Sequence, residues 1–354
     1  MIARPPPRRG RAAAVVVATA LSSLSCRPSE APGPATQPEG SAVVYCSVDI
    51  AFARPILAEF TRRTGITLHP VFDTEAGKTT GLVNRLILER SRPRADVWWS
   101  SEIFGTIQLA SQGILEAYSP PAAADIPPAY RDPAGRWTAL GLRGRVIAYD
   151  PRRTRREDVP RRWADLTDDR YRSRACMADP RFGTTRGHMA VLLASWGEAG
   201  LAGYLDRLRA NGCRLTDGNS QSVLLVTRGK ADLAATDTDD VIAAQMRGES
   251  VDMVFPDLDA PGGRPLPGTL WIPCTVGLVR GAPRAEAGRA VVDFLVSAEA
   301  EEMLHRSDSR NTPVRPALVA RLGVSAPPAA AVDYAAAAGL LSRSDQLVDE
   351  HLLP

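Results

Sequence analysis

From residue 41 onward, short apolar runs alternate with segments of helical period, and the series stops and then restarts. Residues 42–46 form an apolar run ending at polar Ser47, which predicts a buried strand. Residues 53–64 place Ile56, Leu57 and Phe60 on one face and stop at Gly65, which predicts a helix. Residues 66–72 predict a second strand, and 81–90 a helix with Leu82, Leu86 and Ile87 on one face. Residues 95–99 predict a third strand, and 106–113 a helix with a Gly stop. Such alternation predicts an α/β fold with a mostly parallel sheet.

Residues 120–133 are dense in proline and interrupt the series as a crossing segment; 137–149 then read as extended. Trp163 opens a second series, with strands at 174–177, 213–216 and 231–235 and helices at 184–197, 201–210 and 222–228. A Pro/Gly-rich stretch at 262–268 precedes a strand at 270–279 and an amphipathic helix at 286–295. A chain of 354 residues exceeds the size of one core. Two series joined by two crossings predict two lobes around a cleft. One lobe comprises 41–138 with 268–305, the other 139–267, and 306–354 is a helical segment packing on the lobes. No internal repeat of roughly 20–50 residues is evident.

Hydrophobic residues make up 44% and charged residues 23%, which excludes a mostly disordered chain and a polytopic membrane protein. A net charge of +3 gives no footprint for nucleic acid. Lys78 and Lys230 are the two lysines among 43 basic residues, so an arginine here is weak evidence of a binding role. None of the 4 histidines pair at metal-ligand spacing.

Residues 1–26 combine a basic start (Arg4, Arg8, Arg9, Arg11), an apolar run at 12–21 and a small-residue end at Cys26, the layout of a secretory signal. The apolar run is too short to anchor in a bilayer. The end resembles a bacterial lipoprotein signal, in which Cys26 would be lipidated and become the mature N-terminus. Ser23 stands where such signals carry an aliphatic residue, and ordinary cleavage to a free periplasmic protein is the alternative. Residues 27–40, rich in proline and small residues, read as a flexible tether. Setting Cys26 aside leaves Cys46, Cys176, Cys213 and Cys274, which allow three pairings. Cys176 with Cys213 is the expected disulfide, since both fall in or at the start of strands of one lobe; Cys46 with Cys274 is the remainder. Buried free thiols are the alternative. No CxxC spacing supports zinc.

An ordered set of segments resembles a known family. Tyr45-Cys-Ser47 ends the first strand, Phe60 to Ile66 closes the first helix, and Asp96-Val97 is followed by Glu102. Trp137 to Tyr149 matches a crossing strand, followed by Asn211-Gly212, Arg228-Gly-Lys-Ala-Asp232 and Val292 to Ser297. Over about residues 41–312 the set resembles bacterial extracellular solute-binding proteins of ABC importers, of the ferric-iron-binding type. The resemblance implies a two-lobed, type II-like periplasmic-binding fold that closes on a ligand and delivers it to an inner-membrane permease with its ATPase. It implies a monomer outside the cytoplasm, no prosthetic group and ferric iron or another hard cation as cargo. The family's paired tyrosines fall here on Asp239 and Asp240, its histidine falls on Asp49, and its acidic ligand is kept as Glu102.

The candidate ligand set is therefore Ser47, Asp49, Thr79, Glu102, Thr184, Thr185, Asn219, Asp239 and Asp240, with Asp49, Glu102, Asp239 and Asp240 as the metal set. Asp49 is either a ligand or a helix N-cap, and Glu102 either a ligand or a helix-start acid. Asp237, Asp239 and Asp240 crowd like charges into four positions and need a cation, an arginine or solvent. Convergent carboxylates suit a hard cation or an ammonium group. Residues 74–81 and Gly183-Thr184-Thr185 precede helices and suit an anion, or merely cap them. Gly77-Lys78-Thr79 is not a P-loop, because Phe72 stands where its glycine is required. Arg143 or Arg145 could reach the cleft, and His188 reads as a packing residue. An aminophosphonate, with its anion on the threonine-rich helix starts and its amine on the aspartates, is the alternative cargo. An enzyme on this scaffold, such as a hydrolase, lacks a Ser-His-Asp order, a GxSxG elbow and an HExxH motif. A sensor domain of a membrane kinase is a further reading.

Overall fold

A computed structural model describes residues 1, 3, 40–73, 77–260 and 265–353. Nearly all of the expected signal peptide and of the tether, and the Cys26 lipid site, lie outside the described residues.

The chain forms β1 (Ser41–Cys46), α1 (Ile50–Thr64), β2 (Thr67–Phe72), α2 (Thr80–Leu88), β3 (Val97–Ser100), α3 (Phe104–Ser111) and β4 (Leu115–Glu116). β1 pairs with β2 and β3 in parallel, as the alternation predicts. α1 ends where Gly65 takes φ 75°, a conformation that costs glycine little. The proline-dense stretch resolves into short 3-10 turns at Pro121–Ala123 and Pro128–Tyr130.

β5 (Thr138–Tyr149) follows, and all of its residues are buried. After further 3-10 turns come β6 (Ala175–Ala178), α4 (Gly183–Ala210), β7 (Arg214–Thr216), α5 (Asn219–Thr227), β8 (Leu233–Asp237), α6 (Thr238–Met246) and β9 (Asp252–Val254). α4 joins the two helices expected at 184–197 and 201–210, and Gly197 (φ 71°, ψ 174°) is the kink between them. β10 (Trp271–Val279), α7 (Ala285–Leu295), α8 (Ala298–Arg306), α9 (Pro316–Leu322), α10 (Tyr334–Gly339) and α11 (Leu341–His351) complete the chain.

Among the described residues ten strands join in the order β2-β1-β3-β10-β5-β8-β6-β7, with β4 on β10 and β9 on β5. β5 belongs to both halves. Residues Thr138 to Gly144 pair with β10, and Arg145 to Tyr149 pair with β8, both antiparallel. β6 pairs in parallel with β7 and β8, giving the second half its own parallel core. A buried apolar cluster runs from Tyr45 and Trp98 in the first half to Tyr149 and Leu192 in the second. Ala337, Leu341 and Leu347 of the C-terminal helices belong to the same cluster. α10 packs on both α3 and α4, and α11 on α4.

The expected Cys176–Cys213 disulfide is corrected: Cys46, Cys176, Cys213 and Cys274 are all free. The register explains it. Cys176 pairs with Arg214, so Cys213, one residue earlier, faces the other side of the sheet. Cys176 accordingly packs with Val146, Val223 and Val226, while Cys213 packs on the opposite cluster. Cys46 and Cys274 are both buried and unbonded.

Candidate functional site

The site forms where β5 passes from one half to the other. Alternation along β5 puts Arg143 and Arg145 on one face. Arg145 is in register with Asp237, the last residue of β8. Arg145 Nη1 donates to Asp237 Oδ1 at 2.9 Å and to Asn219 Oδ1 at 3.3 Å. Asp237 Oδ2 accepts from Thr184 Oγ1 at 2.5 Å and from Asn219 Nδ2 at 2.8 Å. Both oxygens of Asp237 are therefore occupied, and the Thr184 hydroxyl proton is spent on it. Arg145 also lies over Trp163, 5.9 Å from the ring centroid. Trp163 meets the ring of His188 at 4.3 Å. His188 is the expected packing residue: burial first, and Arg145 second, hold it neutral.

Arg143 faces Asp239, with Nη1 3.0 Å from Oδ2, and lies 3.7 Å from Asp237. The arginines thus supply the charge that the aspartate cluster requires. Carboxylate oxygens of Asp237, Asp239 and Asp240 lie within 4.8 Å of one another. Burial, only partly offset by Arg143, pushes Asp239 up to about 6. Burial, with Asp239 and Asp237 adding, raises Asp240 well above the carboxylate range.

Two adjoining cavities open here. The first holds about 30 Å³, roughly one water's share. Its lining includes Thr184, Thr185 and Gly183 at the start of α4, Gly218 and Asn219 at the start of α5, and the cations Lys78 and Arg143. Helix starts present unpaired N–H groups and a positive dipole end, which suits an oxyanion. The second cavity, about 530 Å³, is lined by Ser47, Asp49, Asp73 and the start of α1. Lys78 and Asp240 border both.

The structure brings Thr184, Thr185, Asn219 and Asp240 to the first cavity and Ser47, Asp49 and Asp240 to the second. Asp49 sits at the N-cap position of α1 without capping through its side chain, and its carboxylate pairs with Lys78. Glu102, Asp239 and Thr79 line neither cavity. Glu102 caps the start of α3, accepting from the N–H of Phe104 at 2.5 Å and of Gly105 at 3.0 Å. Its carboxyl is pushed up to about 7 by burial. Thr79 is buried before α2 and donates to Ser47 Oγ at 3.4 Å. Ser101, Asp179, Phe182 and Asp217 line the first cavity without having been expected there. Their positions just before helices carry the only signal for them.

A family model described as bacterial extracellular solute-binding protein matches residues 106–338. A probable ABC transporter periplasmic-binding protein, y4fP, of Sinorhizobium fredii is 30% identical over 62% of this chain and 60% of its own length. A putative 2-aminoethylphosphonate-binding periplasmic protein of Salmonella paratyphi A is 31% identical over 68% of each. Iron uptake protein A1 of Synechocystis is 26% identical over 84% of this chain and 83% of its own. Iron-bound HitA of Pseudomonas aeruginosa aligns with TM-score 0.73 at 21% identity, covering 88% of this chain and 98% of that one. AfuA of Actinobacillus pleuropneumoniae with fructose-6-phosphate aligns with TM-score 0.75 at 22% identity, covering 90% and 100%. These structural alignments share the two-lobed α/β architecture. Among the described residues no helix is long and apolar enough to cross a membrane. The family match runs from α3 to α10 and takes in β5 and β10, and the chain belongs to the bacterial extracellular solute-binding proteins.

Proposed function

We propose that this protein is the cargo-capturing component of an ABC importer and that its cargo presents an oxyanion to the starts of α4 and α5. The observation that carries this is the convergence of two helix starts, Lys78 and Arg143 on one small cavity beside Asp240. The halves would close on the cargo, with selection by contacts made in the closed state, and pass it to an inner-membrane permease. Cys26 would tether the monomer to the membrane by lipid.

Ferric iron held with a synergistic anion is the first cargo. Carboxylate oxygens within 4.8 Å of one another support it, since a hard cation relieves their repulsion. An iron uptake protein among the relatives and an iron-bound neighbour agree with it. Asp240 is the most available donor, because Asp237 and Asp239 already face arginines. An aminophosphonate is the second reading, favoured by the paired state of those aspartates and by the Salmonella relative. Its phosphonate would occupy the same oxyanion seat and its ammonium would face Asp240.

Calorimetry on refolded, chelator-treated protein separates the two. Heat with ferric citrate but not with 2-aminoethylphosphonate supports iron, and the reverse supports the aminophosphonate. No heat with either, nor with inorganic phosphate, would remove the oxyanion reading itself.

A further inference from the structure

Lys78 is one of two lysines among 43 basic residues. In a chain that otherwise uses arginine, its ammonium offers a compact, mobile charge with three donors rather than a planar fork. The next residue, Thr79, holds φ 66°, a left-handed conformation that is costly for a β-branched side chain. Strain of this kind gathers where a structure over-determines a functional position. The Lys78 carbonyl accepts the N–H of Gly183 at 3.2 Å and of Thr80 at 2.8 Å. That places the Lys78 backbone against the start of α4, beside the oxyanion seat. The ammonium meanwhile pairs with Asp49, and the two side chains are only 19% and 22% exposed. Lys78 thus borders the oxyanion cavity and the acidic cavity together.

We propose that Lys78 is a specificity-determining residue that gives the cleft its own exchangeable cation. Paired with Asp49, the ammonium keeps a metal ion off that carboxylate. At the edge of the oxyanion seat, it meets the anionic group of the cargo. Asp49, Asp73 and Asp240 draw the ammonium toward the second cavity, whose lining also holds Arg247, while an anion seated at the starts of α4 and α5 beside Arg143 would draw it toward the first. A cargo bringing both an anion and a cationic centre satisfies both sides and releases Lys78 from Asp49. The second role rests on the oxyanion reading above; the first does not.

The test uses the mature protein and its Lys78→Met, Lys78→Arg and Lys78→Met/Asp49→Asn variants, each compared by thermal melt. Terbium(III) alone is titrated by tryptophan-sensitised luminescence, and inorganic phosphate by calorimetry. Lys78→Met is expected to bind terbium about tenfold more tightly than wild type, because the positive charge beside Asp49 is removed. The double variant is expected to lose that gain. Lys78→Met is expected to bind phosphate about tenfold more weakly, with Lys78→Arg recovering most of the loss, which a packing defect alone would not produce. Terbium affinity unchanged in Lys78→Met, or a gain that persists in the double variant, overturns the shielding of Asp49. Phosphate affinity unchanged in Lys78→Met overturns the contact with cargo. Should wild type bind no oxyanion, the cargo reading fails while the terbium comparison still decides the role of Lys78.

Discussion

Arg145 and Asp237 occupy paired positions on β5 and β8 and meet at 2.9 Å, with neither side chain exposed. The pair stands behind the first cavity and acts on it through Thr184 and Asn219, which Asp237 holds in place. Removing Asp237 leaves Arg145 buried without its carboxylate, and removing Arg145 leaves Asp237 with only the more distant Arg143 at 3.7 Å, at a cost of up to about 3–5 kcal/mol. Arg145→Met or Asp237→Leu should lower the unfolding free energy by that order in urea titrations. The double variant should recover a substantial part of the loss.

Glu102 gives stability a pH dependence of defined sign. Burial outweighs the two backbone donors and raises its folded-state value from 4.5 to about 7. The folded protein therefore binds this proton more tightly than the unfolded chain does. The contribution is fully present below about pH 4.5 and is lost as pH rises through 7. It amounts to roughly 3 kcal/mol. Denaturation curves from pH 4.5 to 7.5 should lose this slope in Glu102→Gln.

A cationic cargo centre at Asp240 would couple its binding to the protons held by Asp239 and Asp240. Burial raises both, Asp239 to about 6, while Asp237, Asp49, Arg143 and Lys78 act on them. A cationic centre can bind only as those protons leave. Affinity for such a cargo should rise as pH passes upward through 6, with proton release detectable by calorimetry in buffers of different ionisation enthalpy. Asp239→Asn should remove the step near pH 6.

Gly187 lets α4 approach Phe104 at the start of α3. A Cβ there would lie 2.1 Å from the Phe104 ring, which is itself buried. Gly187→Ala gains up to about 1 kcal/mol in helix propensity but forces a clash worth about 1–3 kcal/mol. A net loss of stability is expected by thermal melt, together with weaker cargo binding, because the contact joins the two halves.

The free thiols can be counted directly. Denatured protein alkylated without reductant should show Cys46, Cys176, Cys213 and Cys274 all modified in mass spectra. Reductant should leave the melting temperature unchanged.

Much of the architecture was legible locally. β5 was readable from its extended apolar pattern, and the helix stops from Gly65 and Gly113, which do adopt positive φ. The helix start at 183 was readable as an anion-suited loop, and Asn219 as a donor following a strand. What local pattern could not supply was the choice of distant partners. Asp49 pairs with Lys78 and Asp237 with Arg145, across 29 and 92 residues, and no periodicity ties such positions together. The metal set was carried over from the positions of the family's ligands, whereas the fold assigns Glu102 to a helix start, Asp239 to Arg143 and Asp49 to Lys78. The disulfide failed on parity: one residue of register decides which face a strand cysteine occupies.

The sharing of β5 also orders how the chain can be assembled. The second half, from β5 to β9, is contiguous and can pair its strands as soon as residue 254 has emerged. The first half cannot, because β10 must lie between β3 and β5. Until residues Trp271–Val279 arrive, β3 and the leading part of β5 present bare strand edges, the features most prone to pair with another chain. The N-terminal half of the polypeptide must therefore wait on a late segment, and a chain truncated before β10 would be expected to aggregate rather than persist as an isolated half.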